Sequence, residues 1–270
     1  MDELLNESIK LQLVSDAPVG TLCSGGLDSS IITAIASRYS NNLAVFHADV
    51  VGPVSERDAA TQIARHLKLD LHAAEVRDAD FIELIPEVTE HFGHPFYSCP
   101  HSVPYLTICR LVRQTGVKAV LSGEASDELF LGYADNALPD GTTARSRVMQ
   151  RLRRFAGRPD TDGRMRYQGP SYVQGGDALT SAGLIHGLHN RFETVQETVD
   201  IRNRIGEDSS HPRFRGVLPS LDLLGYNLRA LLHRNDAMGM ASSVEARFPF
   251  LDHELVQLGV NMPYDRKRRR

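Results

Sequence analysis

The sequence predicts an α/β fold built on a parallel sheet that is covered by helices. Short apolar segments alternate with helical segments through residues 1–138, and two apolar segments run through a serine–glycine step into a helix. Such alternation is typical of parallel sheets, because right-handed crossovers return the chain to the same edge of the sheet. With 270 residues, 41% of them hydrophobic and 24% charged, the chain can bury a substantial core.

The elements of residues 1–138 follow from local patterns. An amphipathic helix is predicted at 4–13 and ends where Ser15 to Pro18 form a turn. Runs of apolar and β-branched residues predict four strands, at 19–23, 43–51, 71–76 and 117–121. Helical patterns between these strands predict four more helices, at 28–39, 55–67, 79–92 and 103–115. Ser55 to Asp58 has the character of a capping box, and Gly116 ends the last helix.

The pattern changes after residue 138. Residues 139–217 contain scattered glycine, proline and arginine and one helical stretch at 184–203, which predicts an irregular to helical insertion. Residues 218–270 predict a helical part that completes the domain. The helices predicted in this last part span 220–233 and 252–260.

Composition predicts a cytoplasmic protein without membrane association. No apolar run is long enough to span a bilayer, and the acidic N-terminus lacks the basic start of a signal peptide. The three cysteines, Cys23, Cys99 and Cys109, contain no Cys-x-x-Cys pair, which favours reduced thiols.

Charge is distributed unevenly, although the net charge is only −4. Residues 1–140 hold 20 acids and 9 bases, whereas residues 141–270 hold 14 acids and 21 bases. Eight arginines fall between Arg145 and Arg166, yet few aromatic residues are interleaved with them and no nucleic-acid module is evident. We therefore predict a solvated surface, or one facing a polyanionic substrate or a missing partner, rather than nucleic-acid binding.

The first motif follows the first predicted strand and opens a helix. It comprises Ser24, Gly25, Gly26, Leu27, Asp28, Ser29 and Ser30. The two glycines allow backbone N–H groups to approach an anion, and the start of the helix adds a positive dipole end. The serine hydroxyls are further donors, whereas Asp28 is suited to hold a magnesium ion. This combination predicts a pyrophosphate-binding loop with a built-in metal ligand.

The second motif follows the fourth predicted strand. It runs from Leu121 to Tyr133 and carries Glu124, Asp127 and Glu128 at a spacing that would place them on one helix face. Carboxylates on one face repel each other unless a cation lies among them. We therefore predict metal binding or substrate activation here rather than helix capping alone.

The third motif runs from His233 to Glu254. Arg234 and Arg247 are candidates for charge neutralisation at phosphates. We interpret Phe248 to Leu251 as a structural turn, and Asp252 as the cap of a helix.

Together these motifs resemble the synthetase domain of the glutamine-dependent asparagine synthetases. SGGLDSS is similar to that family's ATP-pyrophosphatase loop, LSGEASDELFLGY to its second signature, and RNDAMGMASSVEARFPFLDHEL to its third. The resemblance covers about residues 1–135 and 218–263. It implies an ATP-pyrophosphatase fold, similar to the adenine nucleotide alpha hydrolases, that binds ATP and Mg²⁺.

The resemblance also implies a reaction and a set of site residues. A small-molecule carboxylate such as aspartate would form an acyl-adenylate with release of pyrophosphate, and ammonia would then displace AMP. Residues Ser24 to Ser30 would hold the pyrophosphate, Asp28 and Asp127 would share magnesium, and Glu124 would orient or deprotonate the nucleophile. The backbone contacts with adenosine would come from Leu22, Val50, Ser122 and Gly123.

The sequence departs from the family pattern at both ends. We expect this chain to act without a glutaminase domain of its own, in which case ammonia would come from solution or from a separate glutaminase domain or subunit. The family's glycine-rich lysine segment is missing after Asp252, and Lys267 lacks its glycine-rich context. Three readings therefore stay open: an asparagine synthetase-type ligase, a related amide-forming cyclase of β-lactam or lasso-peptide type, and a catalytically impaired nucleotide-binding remnant.

Overall fold

The computed structural model describes residues 1–53, 55–93, 101–133, 220 and 223–267. The strands are β1 (Val19–Leu22), β2 (Ala44–Val50), β3 (Leu71–Val76), β4 (Ala119–Leu121) and β5 (Glu245–Arg247). The α-helices are α1 (Asp2–Gln12), α2 (Leu27–Ala36), α3 (Arg57–Leu67), α4 (Asp78–Phe92), α5 (Ser102–Gln114), α6 (Ser126–Phe130), α7 (Arg229–Ala241), α8 (His253–Asn261) and α9 (Tyr264–Lys267). A π-helical turn (Leu223–Leu228) leads into α7, and a 3₁₀ turn (Pro249–Leu251) precedes α8.

The five strands form one parallel sheet in the order β3-β2-β1-β4-β5. Thr21 of the central strand lies opposite Val45 on one side and Leu121 on the other. Strands β2 and β3 lie on one side of β1, and strands β4 and β5 lie on the other. The segments that follow β1 and β4 therefore diverge at the carboxyl edge and leave a crevice, which is where ligands of such sheets bind. The predicted α/β fold with a parallel sheet is confirmed.

Two apolar clusters cover the two faces of the sheet. Ala119 and Leu121 belong to one cluster and Val120 belongs to the other, as expected because successive strand residues point to opposite faces. The first cluster draws on α1, α2 and α8, for example through Ile9, Ile32 and Leu255. The second draws on α4, α5 and α7. The sheet is therefore covered by helices on both faces.

The structure corrects the prediction of helices alone for residues 218–270. Glu245–Arg247 forms β5, which pairs with β4 at the edge of the sheet. Three residues are too short to show strand alternation, so only the pairing with β4 reveals the strand. In addition, α7 continues to Ala241, eight residues past the predicted end at His233.

Other predictions fall outside the described residues. These are the helix at 184–203, the arginine-rich segment at 145–166 and the position of Cys99. Cys23 and Cys109 are free and buried, and burial raises the pKa of the Cys109 thiol to about 12. Within the part of the chain that is described, no helix is long and apolar enough to cross a membrane.

Leu131 ends α6 in a left-handed conformation, with φ at 60° and ψ at 46°. This conformation is costly for a residue with a Cβ. The Leu131 side chain is nevertheless buried, with 2% of its surface exposed, in the helix-covered core. Apolar burial therefore offsets backbone strain at this position.

We expect glycine to be better tolerated than alanine at Leu131. Both substitutions remove a buried side chain and should cost about 2–5 kcal/mol of unfolding free energy. L131G should be more stable than L131A by roughly 0.5–1 kcal/mol, because glycine adopts a left-handed backbone without strain. Urea unfolding of both variants measures the difference.

Leu129 supplies the matched control, because it is fully buried within α6 and has a right-handed helical backbone. There the order should be the usual one, with L129A more stable than L129G by about 1 kcal/mol. The same order at both positions would contradict the assignment of strain to Leu131.

Candidate functional site

The loop between β1 and α2 depends on its glycines. Gly25 has a φ of +88°, and a Cβ there would lie 2.6 Å from the Cβ of Ala59 on α3. Both the backbone conformation and the close approach of α3 therefore require glycine. Gly26 is the N-cap of α2 and supplies no side chain, so the N-terminus of that helix is not covered by a capping group.

The three serine hydroxyls of this loop make hydrogen bonds within it. Ser29 Oγ accepts from the Ser24 N–H at 3.1 Å, and Ser24 Oγ accepts from the Gly26 N–H at 3.2 Å. Ser30 Oγ donates to the Gly26 carbonyl at 2.6 Å. In this arrangement the hydroxyls shape the loop, and the Ser30 hydroxyl would have to rotate before donating to an anion. Leu27, at the tip of the loop, is exposed.

The segment after β4 packs against the start of α2. A Cβ added at Gly123 would lie 3.1 Å from the Ser29 nitrogen and 3.4 Å from the Cβ of Asp28. Ser122 is buried, and its N–H donates to the Arg247 carbonyl at 2.9 Å. The absence of a side chain at Gly123 therefore lets the first and second motifs meet.

Asp28 lies at this contact, and its charge acts on Asp127. Burial raises the pKa of Asp28, and a hydrogen bond from Ser126 opposes that shift. Burial also raises the pKa of Asp127, and the negative charges of Asp28 and Glu124 raise it further. The carboxylate of Asp127 is thus repelled by those of Asp28 and Glu124.

The prediction that Glu124, Asp127 and Glu128 share a helix face is wrong. Glu124 precedes α6 and is separated from it by Ala125, which has a left-handed φ of 78°. Glu128 points into the interior, where its Oε1 accepts from the Tyr133 hydroxyl at 2.7 Å and from Asn227 Nδ2 at 2.6 Å. The left-handed residue breaks the helical periodicity on which the prediction depended.

The carboxylates of Asp28 and Asp127 fit a magnesium ion. Mg²⁺ is typically held by one or two carboxylates, with the remaining ligands from phosphates and water. No group of three or more histidine, cysteine or acidic side chains in metal-binding geometry occurs among the described residues. A cation beside Asp28 and Asp127 would relieve the repulsion at Asp127.

A pocket of about 500 Å³ opens beside the loop at the carboxyl edge of the sheet. On the strand side it is lined by Leu22, Ser24 and Val50, three of the residues predicted to bind the nucleotide, and by His47. On the helix side it is lined by residues of α7 and of the segment that opens α5, among them His101, Tyr105 and Arg234.

Arg234 connects the pocket with the carboxylates. The arginine is buried, and its Nη2 donates to Glu124 Oε1 at 2.5 Å and to Asn235 Oδ1 at 2.7 Å. Its guanidinium carbon lies 5.4 Å from the centre of the Tyr105 ring. Burial and the charge of Arg234 lower the pKa of His101, and Glu124 opposes this. The helix side of the pocket therefore carries a largely buried ion pair between Arg234 and Glu124.

Arg247 and Lys267 have other environments. Arg247 Nη1 donates to the Gln12 and Val14 carbonyls at 2.5 and 3.0 Å, and its Nε donates to Glu245. Its guanidinium therefore joins β5 to the end of α1. Lys267 Nζ donates to Ser220 Oγ at 2.7 Å, and burial lowers the pKa of this lysine to about 8.

Sequence reasoning missed three of the polar residues that line the pocket, namely His47, His101 and Tyr105. His47 lies within a strand and Tyr105 within a helix, so each position looks like part of a core pattern. No glycine, cap or repeated acid marks them. Only the packing of α5 over the sheet brings them together with Arg234.

Comparison with known proteins gives consistent matches. The family model for asparagine synthase matches residues 1–270. Asparagine synthetase (glutamine-hydrolyzing) 3 of Bacillus subtilis is 28% identical over 98% of this chain. Asparagine synthetase B (glutamine-hydrolyzing) of Escherichia coli is 34% identical over 48% of this chain, which corresponds to 26% of that protein. The chain spans about two fifths of the length of the curated relatives that match nearly all of it, 41% and 42% in two cases.

Proposed function

We propose that this chain, which belongs to the asparagine synthase family, is an ATP-dependent amide ligase that converts a carboxylate, aspartate in the first instance, into an amide. One observation carries the proposal: the glycine loop and Asp28 pack against Gly123, within electrostatic range of Asp127, beside a pocket lined by Leu22 and Val50. This juxtaposition supplies a place for phosphates, a place for a cation and a place for a nucleoside at one edge of the sheet.

The first half-reaction would activate the carboxylate. A carboxylate oxygen of the substrate attacks the α-phosphorus of ATP, the bond from that phosphorus to the bridging α–β oxygen breaks, and pyrophosphate leaves. The loop Ser24 to Ser30 and the N-terminus of α2 would hold the pyrophosphate. Backbone groups of Leu22, Val50, Ser122 and Gly123 would position the adenosine, so that binding orients the α-phosphorus for attack.

Asp28 and Asp127 would hold Mg²⁺, and this ion would neutralise the negative charge that develops on the departing pyrophosphate. The two carboxylates are suited to this because they are partly buried and repel each other. Gly123 permits the close approach of the segment after β4 to Asp28.

The second half-reaction would form the amide. The nitrogen of ammonia attacks the acyl carbon of the adenylate, the bond from that carbon to the phosphate oxygen breaks, and AMP leaves with its electron pair. Glu124, held by Arg234 at the rim of the pocket, would orient the amine and accept the proton that the nitrogen loses. Arg234 would thereby fix the direction in which the carboxylate acts.

The source of ammonia is a separate part of the proposal. The relatives are named as glutamine-hydrolyzing enzymes, and the chain corresponds to about two fifths of their length. We propose that the chain uses free ammonia in isolation and that a glutaminase domain or subunit supplies it when present.

Exchange of radiolabelled pyrophosphate into ATP tests the first half-reaction. With Mg²⁺ and aspartate we expect aspartate-dependent exchange, and with ammonium added we expect AMP and asparagine in equal amounts. Omission of Mg²⁺ should abolish the exchange, because the two carboxylates would then oppose the triphosphate.

The same assay separates the alternatives. If exchange depends on another amino-acid or peptide carboxylate and does not occur with aspartate, the result would support a related amide-forming cyclase rather than an asparagine synthetase-type ligase. ATP binding measured by calorimetry without exchange for any acid in the panel would indicate a nucleotide-binding remnant.

A further inference from the structure

Two of the polar atoms that lie buried without a hydrogen-bond partner belong to residues lining one pocket. Among the described residues six such side-chain atoms occur, and His47 Nε2 and Tyr105 Oη are the two whose residues line the pocket described above. His47 is only 3% exposed and Tyr105 only 7% exposed, so bulk water does not compensate for the missing partner. A buried polar group without a partner destabilises the folded state, so a ligand that supplies the partner is favoured.

The hydrogen bond on the other side of the His47 ring fixes the chemical character of Nε2. Nδ1 lies 2.9 Å from the Cys23 carbonyl, and a carbonyl oxygen only accepts, so Nδ1 carries the hydrogen. In the neutral imidazole the other nitrogen is then an acceptor. The residue that follows β1 therefore holds a histidine of β2 that lines the pocket and whose acceptor nitrogen has no partner.

We propose that His47 Nε2 accepts a hydrogen bond from the adenosine part of the bound nucleotide and so contributes to nucleotide selection. The donor is either the exocyclic amino group of the base or a ribose hydroxyl, which present the same chemistry to an acceptor. The inference rests on the proposed function, because it takes ATP to be the occupant of the pocket. A nucleotide that lacks the matching donor would leave Nε2 without a partner and would bind more weakly.

Calorimetric titration of the full chain with four nucleotides in the presence of Mg²⁺ tests the proposal. ITP replaces the amino group of the base by an oxygen, whereas 2′-deoxy-ATP and 3′-deoxy-ATP each lack one ribose hydroxyl. For the wild-type protein we expect one of the three analogues to bind about 10-fold more weakly than ATP, which corresponds to the loss of one hydrogen bond.

The variant His47→Asn isolates the acceptor. Its amide nitrogen can keep the hydrogen bond to the Cys23 carbonyl, while the position of Nε2 is left without an atom. For the analogue that binds the wild type more weakly than ATP does, the ratio of its Kd to the ATP Kd should fall to about 2 or less in this variant. His47→Gln, whose side chain reaches the Nε2 position, should restore part of that ratio.

His66→Asn is the matched control, because His66 is exposed on α3 and does not line the pocket. Its Kd ratios should equal those of the wild type. Thermal unfolding establishes that each variant is folded, and the ratio is insensitive to a general weakening of binding. Should His47→Asn fail to fold, ¹⁵N spectra of histidine-labelled wild-type protein provide the readout, since ATP should shift a ring-nitrogen resonance that the discriminating analogue leaves in place.

Equal Kd ratios in the wild type and His47→Asn for all three analogues would overturn this proposal and leave the proposed function standing. Absence of ATP binding by the wild type would overturn both. These two results are distinguished in the first titration.

Discussion

Replacing Asp127 by asparagine is expected to lower the rate of aspartate-dependent pyrophosphate exchange by about 100-fold or more, as does the removal of one preorganised electrostatic contact elsewhere. Asparagine keeps the shape of the side chain but removes the charge that would hold Mg²⁺ beside the departing pyrophosphate. The Mg²⁺ concentration for half-maximal exchange should rise as well. Exchange assays over a range of Mg²⁺ concentrations measure both effects.

Stability separates this role from a structural one. The raised pKa of Asp127 means that its charged form is disfavoured in the folded state. Removing the charge at neutral pH should therefore leave the free energy of unfolding unchanged or higher. Asp16→Asn, at an exposed loop position, should change neither exchange nor stability. Full exchange activity in D127N, or loss of activity through unfolding, would contradict the role given to Asp127.

The features that could be predicted from the sequence are those in which neighbours along the chain decide the outcome. The loop Ser24 to Ser30 is of this kind, because Gly25 needs a left-handed backbone and Gly26 directly begins α2. Strands β1 to β4 and the helices between them were also recognised, since each carries its own apolar pattern. The parallel arrangement of these strands follows from their alternation with helices.

The features that could not be predicted depend on partners distant in the chain. Glu124 and Arg234 are 110 positions apart, and nothing near either residue identifies the other. The strand β5 exists because Ala119–Leu121 offers it an edge, not because Glu245–Arg247 favours a strand. The error at Glu124 has a smaller cause: one left-handed residue, Ala125, removes it from the helix that its spacing suggested.

The two arginines of the third motif show the same distinction. Both were candidates for contact with phosphates on the basis of charge alone. Packing directs Arg234 to Glu124 at the pocket, whereas Arg247 is directed to the carbonyls of Gln12 and Val14. Residue type therefore identified the charges, and tertiary structure determined which of them faces the site.

Replacing Arg234 by methionine is expected to lower the free energy of unfolding by about 2 kcal/mol or more, because it leaves Glu124 without its counter-ion. The Arg234 side chain is 6% exposed and the Glu124 side chain 21% exposed, so water compensates only in part. The change should be measured by urea unfolding at neutral pH. Arg77→Met is the matched control, because Arg77 and its partner Glu75 are 71% and 44% exposed, so this variant should lower the free energy of unfolding far less than Arg234→Met.

The double variant Glu124→Gln with Arg234→Met distinguishes loss of the ion pair from loss of packing. Once both charges are removed, no uncompensated carboxylate remains, so the double variant should be more stable than Arg234→Met alone. If the two single effects simply add, the pair contributes no coupling, and Arg234 would act through its contact with Tyr105 instead. If the ion pair were purely structural, the double variant would regain asparagine formation along with stability. Coupling in stability, together with loss of asparagine formation in Arg234→Met that the double variant does not regain, would therefore identify Arg234 as the residue that holds Glu124 in its working orientation.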